Sequence, residues 1–189
     1  MVGIIHKVLF DLIESAGGPN AVEAVRSRAG IPADAAYSLN AAYDDAEWRR
    51  LLEASCAVLG LSAEAAELAY AEAFYRDALT RWPSWFQMSR DSREFLLRQP
   101  AIHNSLAAGL TAASERKAVS DKFRVERNEG GIIMHYRSPN QHCRLYVALA
   151  RRIIAHYGDD ATIAERCCMR TGAPECEIHV QWTRFAAQG

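Results

Sequence analysis

The stretch QPAIHNSLAAGL, residues 99–110, sets His103 among Ile102, Leu106, Leu110 and small alanines. At helical spacing its imidazole shares a face with Leu96, Leu106, Ala107 and Leu110. An imidazole in apolar surroundings must find partners for its ring nitrogens or lose their hydration. Two readings follow. One is a core histidine bonded to a backbone carbonyl. The other is an axial ligand to haem iron, with Ala107, Ala108 and Gly109 leaving room for a flat macrocycle. Position alone leaves both open. A haem would also need partners for its two propionates. In MHYRSP, residues 134–139, Tyr136 and Ser138 are two apart, so on a strand both hydroxyls face one way and could bind carboxylates. Ordinary strand alternation gives the same pattern.

A second group of chemistry-bearing residues lies in CCMRTGAPEC, residues 167–176. Cys168 and Cys176 flank a seven-residue loop containing Gly172 and Pro174, a knuckle that can bring two thiolates to one metal. Cys143 stands 25 positions before Cys168. Four of the five cysteines fall in the last 47 residues, and nothing in the sequence indicates an oxidising compartment. In a reducing cytosol such a cluster points to metal or redox chemistry, against the alternative of free buried thiols. Cys56 reads as core.

The first two thirds of the chain, which must position His103, read as helix. GIIHKVLFDLIESA carries Ile4, Ile5, Val8, Leu12 and Ile13 at helical spacing, and GGPN breaks it. Pro19 suits the first turn of a following helix that stops at Gly30. DDAEWRRLLEASCAVLG opens on capping aspartates and ends at Gly60, and Ser62 caps the alanine-rich segment after it. WPSWFQ reads as an aromatic corner. SREFLLRQPAIHNSLAAGLTAA is a long helix with a kink or restart at Pro100. From residue 122 the pattern changes: KFRVERNEGGIIMHYRS alternates about a hairpin turn, and an amphipathic helix ends at Gly158. ATIAERCC and CEIHVQWT are two more strands. The expected class is α+β in a single domain over 1–189. An all-helical lobe spans about 1–115, and a ββαββ lobe with an antiparallel sheet spans about 120–183.

Half of the 189 residues are apolar, which suffices for a full core. The net charge is −1, and Lys and Arg are spread through the chain, so no basic field invites nucleic acid. The longest mostly apolar run is too short to span a bilayer, and the opening residues lack a basic leader and a cleavage site. The expectation is a cytoplasmic protein without a membrane partner. No nucleophile–base pair, phosphate-cradling glycine loop or paired-carboxylate motif is present, which argues against an enzyme.

Taken together, these segments resemble the haem nitric oxide/oxygen binding (H-NOX, or HNOB) family. The resemblance is carried by MVGIIHKVLFDLIE with Gly3 in place, AYDDAEWRRLLEASCAVLGLS, FLLRQPAIHNSL and YRSP. The tail from His142 to Val180 resembles the zinc-containing bacterial branch. It covers nearly the whole chain. It implies haem b in a cleft between the lobes, with His103 as the proximal iron ligand and Tyr136 and Ser138 on the propionates. It further implies that gas binding opposite the histidine weakens the iron–histidine bond, and that the shift of the helix is read by a partner protein. The ligand would be NO, with CO a second candidate, and the partner a separate histidine kinase or cyclic-dinucleotide enzyme.

The departures from the family pattern bear on each site. The propionate motif should end in Arg, and here it ends in Asn140, a neutral amide in place of a charged fork. Arg137 and Arg144 are near in sequence, but a strand aims Arg137 away from Tyr136. A proline common about a dozen residues after the histidine is missing from TAASERKA, and a common glycine is Ala71. Members that bind O2 place a distal tyrosine on the C-terminal helix, where this chain has Leu145; Ile5 and Phe74 are further candidates for an apolar distal wall. That wall favours NO over stable O2 binding. For zinc, the resemblance implies Cys143, Cys168 and Cys176 as ligands. The fourth, a histidine in that branch, is Glu165 here, with Cys167 and His142 as alternatives. The competing function is a zinc/thiol redox sensor on the same scaffold, with haem binding weakened or lost.

Overall fold

The computed structural model describes residues 1–39 and 41–186. Eight helices precede or interrupt a four-stranded sheet. They are α1 (Gly3–Ala29), α2 (Asp45–Leu59), α3 (Ala63–Arg81), α4 (Pro83–Gln87), α5 (Ser92–Leu97), α6 (Gln99–Ala107), α7 (Ala113–Ser120) and α8 (Cys143–His156). The strands are β1 (Phe123–Asn128), β2 (Gly131–Tyr136), β3 (Asp160–Cys167) and β4 (Cys176–Arg184), in the order β1-β2-β4-β3 and antiparallel throughout. The class is therefore α+β, as the patterning indicates. No helix among the described residues is long and apolar enough to cross a membrane.

The punctuation residues act where their chemistry requires. Gly18 takes φ 72°, ψ −175° inside α1 and Pro19 follows, so the helix kinks there. Asp44 and Ser62 accept hydrogen bonds from the Ala46 and Ala65 N–H groups and start α2 and α3. The long helix expected around Pro100 is broken: α5 ends at Leu97 and α6 begins at Gln99, with Pro100 in its first turn. WPSWFQ, expected only as a corner, contains the short helix α4.

Two apolar cores form. One gathers α1 and α2 around Ile4, Val8, Leu9, Trp48 and Leu51, with Tyr70, Ala107 and Leu110. The other lies between α8 and the sheet, around Met134, Tyr136, Tyr146, Ile153, Ile178 and Val180. Helical residues from α3 to α6, Tyr75, Phe86, Leu96 and Ile102, belong to this second core, so the later helices pack on the sheet. A buried polar knot fastens α5 there: Ser92 Oγ donates to Asp159 Oδ2 at 2.6 Å, and Trp182 Nε1 donates to Ser92 Oγ at 2.8 Å.

Candidate functional site

Where the two cores meet there is a cleft with about 870 Å3 of space not filled by atoms, part of it open to solvent. One wall is formed by Ile5, Tyr70, Phe74 and Leu145. The Tyr70 hydroxyl donates to the Ile5 carbonyl at 3.1 Å, so it is committed within that wall. The facing side carries His103, Phe123, Tyr136 and Tyr146. Their rings form a chain, with Phe123 4.4 Å from His103, 5.0 Å from Tyr136 and 5.4 Å from Tyr146.

His103 sits at the middle of α6 and lines the cleft. Its Nδ1 is buried with no hydrogen-bond partner, so the backbone-bonded core histidine is not what that atom does. Burial, and then the nearby Lys122 ammonium, push its pKa from 6.5 down to about 3, which keeps the imidazole neutral and its lone pair free. Ala107 is buried elsewhere and Ala108 and Gly109 are exposed; none of the three lines the cleft. The expectation that they make room beside the imidazole is corrected. The helix ends at Ala107, and the space lies on the side of Gln99, Ile102 and Leu106.

Tyr136 is the last residue of β2, and Ser138 lies beyond the strand, yet both line the cleft and both are buried. The Tyr136 hydroxyl accepts from the His142 N–H at 3.1 Å and, raised to about 12 by burial above all, stays protonated with its own O–H to give. Asn140 is buried just behind, and both atoms of its amide lack partners. Arg137 and Arg144 are exposed and outside the cleft. The cation that does reach it is Lys122, a turn residue between α7 and β1 that no sequence motif marks. Tyr146, whose hydroxyl is buried and unpartnered, is a further lining residue not signalled by any motif.

Four of the five cysteines lie at one end of the sheet, next to this corner, while Cys56 sits half-buried in α2. Cys176 pairs with Tyr136 across β4 and β2, and Cys143 opens α8. The ligand atoms of Cys143, Glu165, Cys168 and Cys176 all lie within 4.8 Å of one another. The Cys143 and Cys168 sulfurs are 3.5 Å apart. Tetrahedral zinc with bonds of about 2.3 Å needs ligands roughly 3.8 Å apart, so the donor set and its spacing fit the ion. Cys167 pairs with Glu177 at a register shift and is exposed, and it stands outside the cluster. His142 is also outside it. Its Nε2 accepts from Trp48 Nε1 at 2.7 Å, its Nδ1 is 3.7 Å from Glu67 Oε1, and its ring lines the cleft. Burial alone would raise the Glu67 carboxyl, but His142 and Arg170 beside it pull it below the usual range. Arg170 belongs to the short 3-10 turn between Cys168 and Cys176, 3.4 Å from Glu67.

The apolar cleft, with an unpartnered imidazole nitrogen in its wall, thus lies between the helices and the four-stranded sheet. Residues 2–165 match the model of the family described as Haem-NO-binding, HNOB, and the chain belongs to that family. It is 30% identical over 144 residues to soluble guanylate cyclase gcy-37 of Caenorhabditis elegans, an alignment covering 75% of this chain and 20% of that protein. The chain thus spans about a fifth of that relative's length. Its fold is similar to that of an H-NOX protein from S. oneidensis solved in the Fe(II) ligation state, with a TM-score of 0.81 and 18% identity over 98% of this chain and 97% of that one. An Fe(II) unliganded H-NOX protein from K. algicida aligns with a TM-score of 0.76 and 22% identity over 98% of both chains.

Proposed function

We propose that this chain binds haem b in the cleft, detects NO with CO as a second ligand, and signals to a separate partner, a histidine kinase or a cyclic-dinucleotide enzyme. One observation carries the reading. A neutral imidazole with an unpartnered buried nitrogen lines an apolar cleft that holds two hydroxyls at its polar corner. Haem, when bound, would supply an iron able to take a diatomic gas. The residues do the rest. His103 offers the ring nitrogen, and the Tyr136 and Ser138 hydroxyls offer donors for the propionates; Asn140, buried behind them, does not line the cleft. Ile5, Phe74 and Leu145 give the far wall no donor, and the Tyr70 hydroxyl is committed to Ile5. A wall without a donor supports NO over O2, because holding O2 depends more on a donated hydrogen bond. His103 rides on α6, which packs against α7 and β1, so its displacement is passed to those elements.

Zinc belongs to the same proposal. Cys143, Cys168, Cys176 and Glu165 would clamp the start of α8 to the sheet edge. A cytoplasmic location fits the signalling role. The test is an absorption spectrum of the ferrous, haem-reconstituted protein with and without NO, together with His103→Gly rescued by added imidazole. Stoichiometric uptake, a shift with NO and imidazole-dependent recovery are expected. Failure of the wild-type protein to take up haem overturns the reading. A second reading, a zinc/thiol redox sensor, is favoured by the unpartnered Asn140 amide where a cation would hold a propionate. Peroxide-driven loss of zinc with a conformational change, in a protein that takes up no haem, would establish it.

A further inference from the structure

A dianionic cofactor needs a cation, and at position 140, where the family resemblance implies arginine, this chain has Asn140. Lys122 is half-buried, lines the cleft together with Tyr136 and Ser138, and also lines a second depression on the outer side with Met1, Asp44, Asp45, Glu115 and Pro139. It therefore stands at the mouth, between the apolar interior and the outer surface. Its Nζ donates to the Met1 thioether at 3.6 Å, a weak acceptor for an ammonium with three donors. The carboxylate near it, Asp45, already accepts from the Met1 nitrogen at 2.9 Å. The backbone holds the arrangement: the Arg137 N–H donates to the Lys122 carbonyl at 3.0 Å, which ties the Lys122 turn to the loop carrying Ser138 and Asn140. Three acidic side chains share the mouth, Asp44, Asp45 and Glu115; the Met1 ammonium pairs with Asp45, and Asp44 and Glu115 would still repel an incoming carboxylate without a further cation.

We propose that Lys122 is the propionate-binding cation of this chain, taking from the turn before β1 the role that arginine at position 140 would take from the loop after β2. The proposal rests on the haem reading above and deepens it. Burial, opposed by the Asp45 carboxylate, pulls the Lys122 ammonium below its usual range, as expected of a cation short of partners. A Lys122→Met exchange keeps the length of the side chain and removes the charge.

Two measurements with opposite signs make the test. In haem-loaded protein, transfer of haem to excess apomyoglobin should be about tenfold to a hundredfold faster for Lys122→Met than for wild type, the range expected of a charged hydrogen bond. Lys122→Arg should stay close to wild type. With haem dimethyl ester, whose carboxylates are blocked, wild type and Lys122→Met should release at rates within about twofold of each other. In haem-free protein the same Lys122→Met exchange should raise the urea midpoint, since it removes an underpartnered buried cation. Equal haem release from wild type and Lys122→Met, or the same ratio with the ester as with free haem, overturns the role of Lys122 and leaves the haem reading intact. A wild-type protein that takes up no haem overturns both. If Lys122→Met does not fold, Lys122→Gln and the wild-type comparison of free haem with its ester give the same discrimination.

Discussion

His6 makes the acid stability of the fold calculable. Its imidazole is fully buried, stacked on Tyr37 at 4.5 Å and edged by Tyr43 and Trp48, and neither ring nitrogen has a hydrogen-bond partner. Burial, the largest cause, and the nearby chain-terminal ammonium push its pKa from 6.5 down to about 4. Above pH 6.5 the ring is neutral in both folded and unfolded chains and costs nothing. As the pH falls from 6.5 towards 4, the unfolded chain takes up a proton that the folded chain refuses, so stability drops through that window and the loss levels off below it. At 1.36 kcal/mol per unit, the 2.5-unit depression amounts to about 3 kcal/mol. The assay is urea unfolding of the haem-free protein at a series of pH values from 7.5 to 4, compared with His6→Phe. The replacement carries its own packing cost of about 1–3 kcal/mol, but that cost does not depend on pH. His103, whose pKa is about 3, steepens both curves alike and cancels in the difference. The variant should therefore lose about 3 kcal/mol less than wild type between pH 7 and pH 4. Parallel curves would refute the reasoning. They would mean that the Glu47 carboxylate, 3.8 Å from Nε2, accommodates the imidazolium in the folded state.

Gly3 opens α1 where a Cβ would lie 2.0 Å from the Ser38 carbonyl oxygen and 2.9 Å from the Tyr43 ring. Gly3→Ala should cost about 2–3 kcal/mol and lower Tm by roughly 5–10 °C, and an unchanged melting curve would show that Ser38 and Tyr43 yield freely. Leu145→Tyr places a hydroxyl on the donor-free wall. The haem-loaded variant should release O2 about tenfold to a hundredfold more slowly than wild type in stopped-flow, and equal rates would contradict the assignment of that wall. Glu165→Gln should weaken zinc binding by at least the roughly tenfold to hundredfold that loss of an outer partner costs, measured by competition with a coloured chelator. Undiminished affinity would mean that the three thiolates find their fourth ligand elsewhere.

How much of this was legible depended on whether local chemistry or long-range geometry fixed each feature. Helix ends at Asp44, Ser62, Gly30 and Gly60 follow from capping that acts within a few residues, and the hairpin at Glu129 and Gly130 follows from its turn. Cys168 and Cys176 come together through a knuckle that closes locally, whereas Cys143 and Glu165, which the structure brings beside them, are expected only from the family resemblance. The roles expected for Ala107, Ala108 and Gly109 depended on continuing α6 past its end, which is set by tertiary packing that spacing does not encode.

Lys122 shows most clearly where strand logic stops. The β1–β2 register pairs Phe123 with Tyr136, so extrapolating one step would set Lys122 opposite Arg137, on the face away from the cleft. Lys122 does sit opposite Arg137 along the backbone, with its carbonyl accepting the Arg137 N–H at 3.0 Å. But β1 begins at Phe123, and in the turn before it the alternation of side chains no longer holds. A four-carbon stem leaving that turn reaches the cleft mouth, whereas Arg137, one residue past the end of β2, remains in solvent. The charge missing from one side of the hairpin is thus present on the other, one residue outside the range in which a periodic pattern could have revealed it.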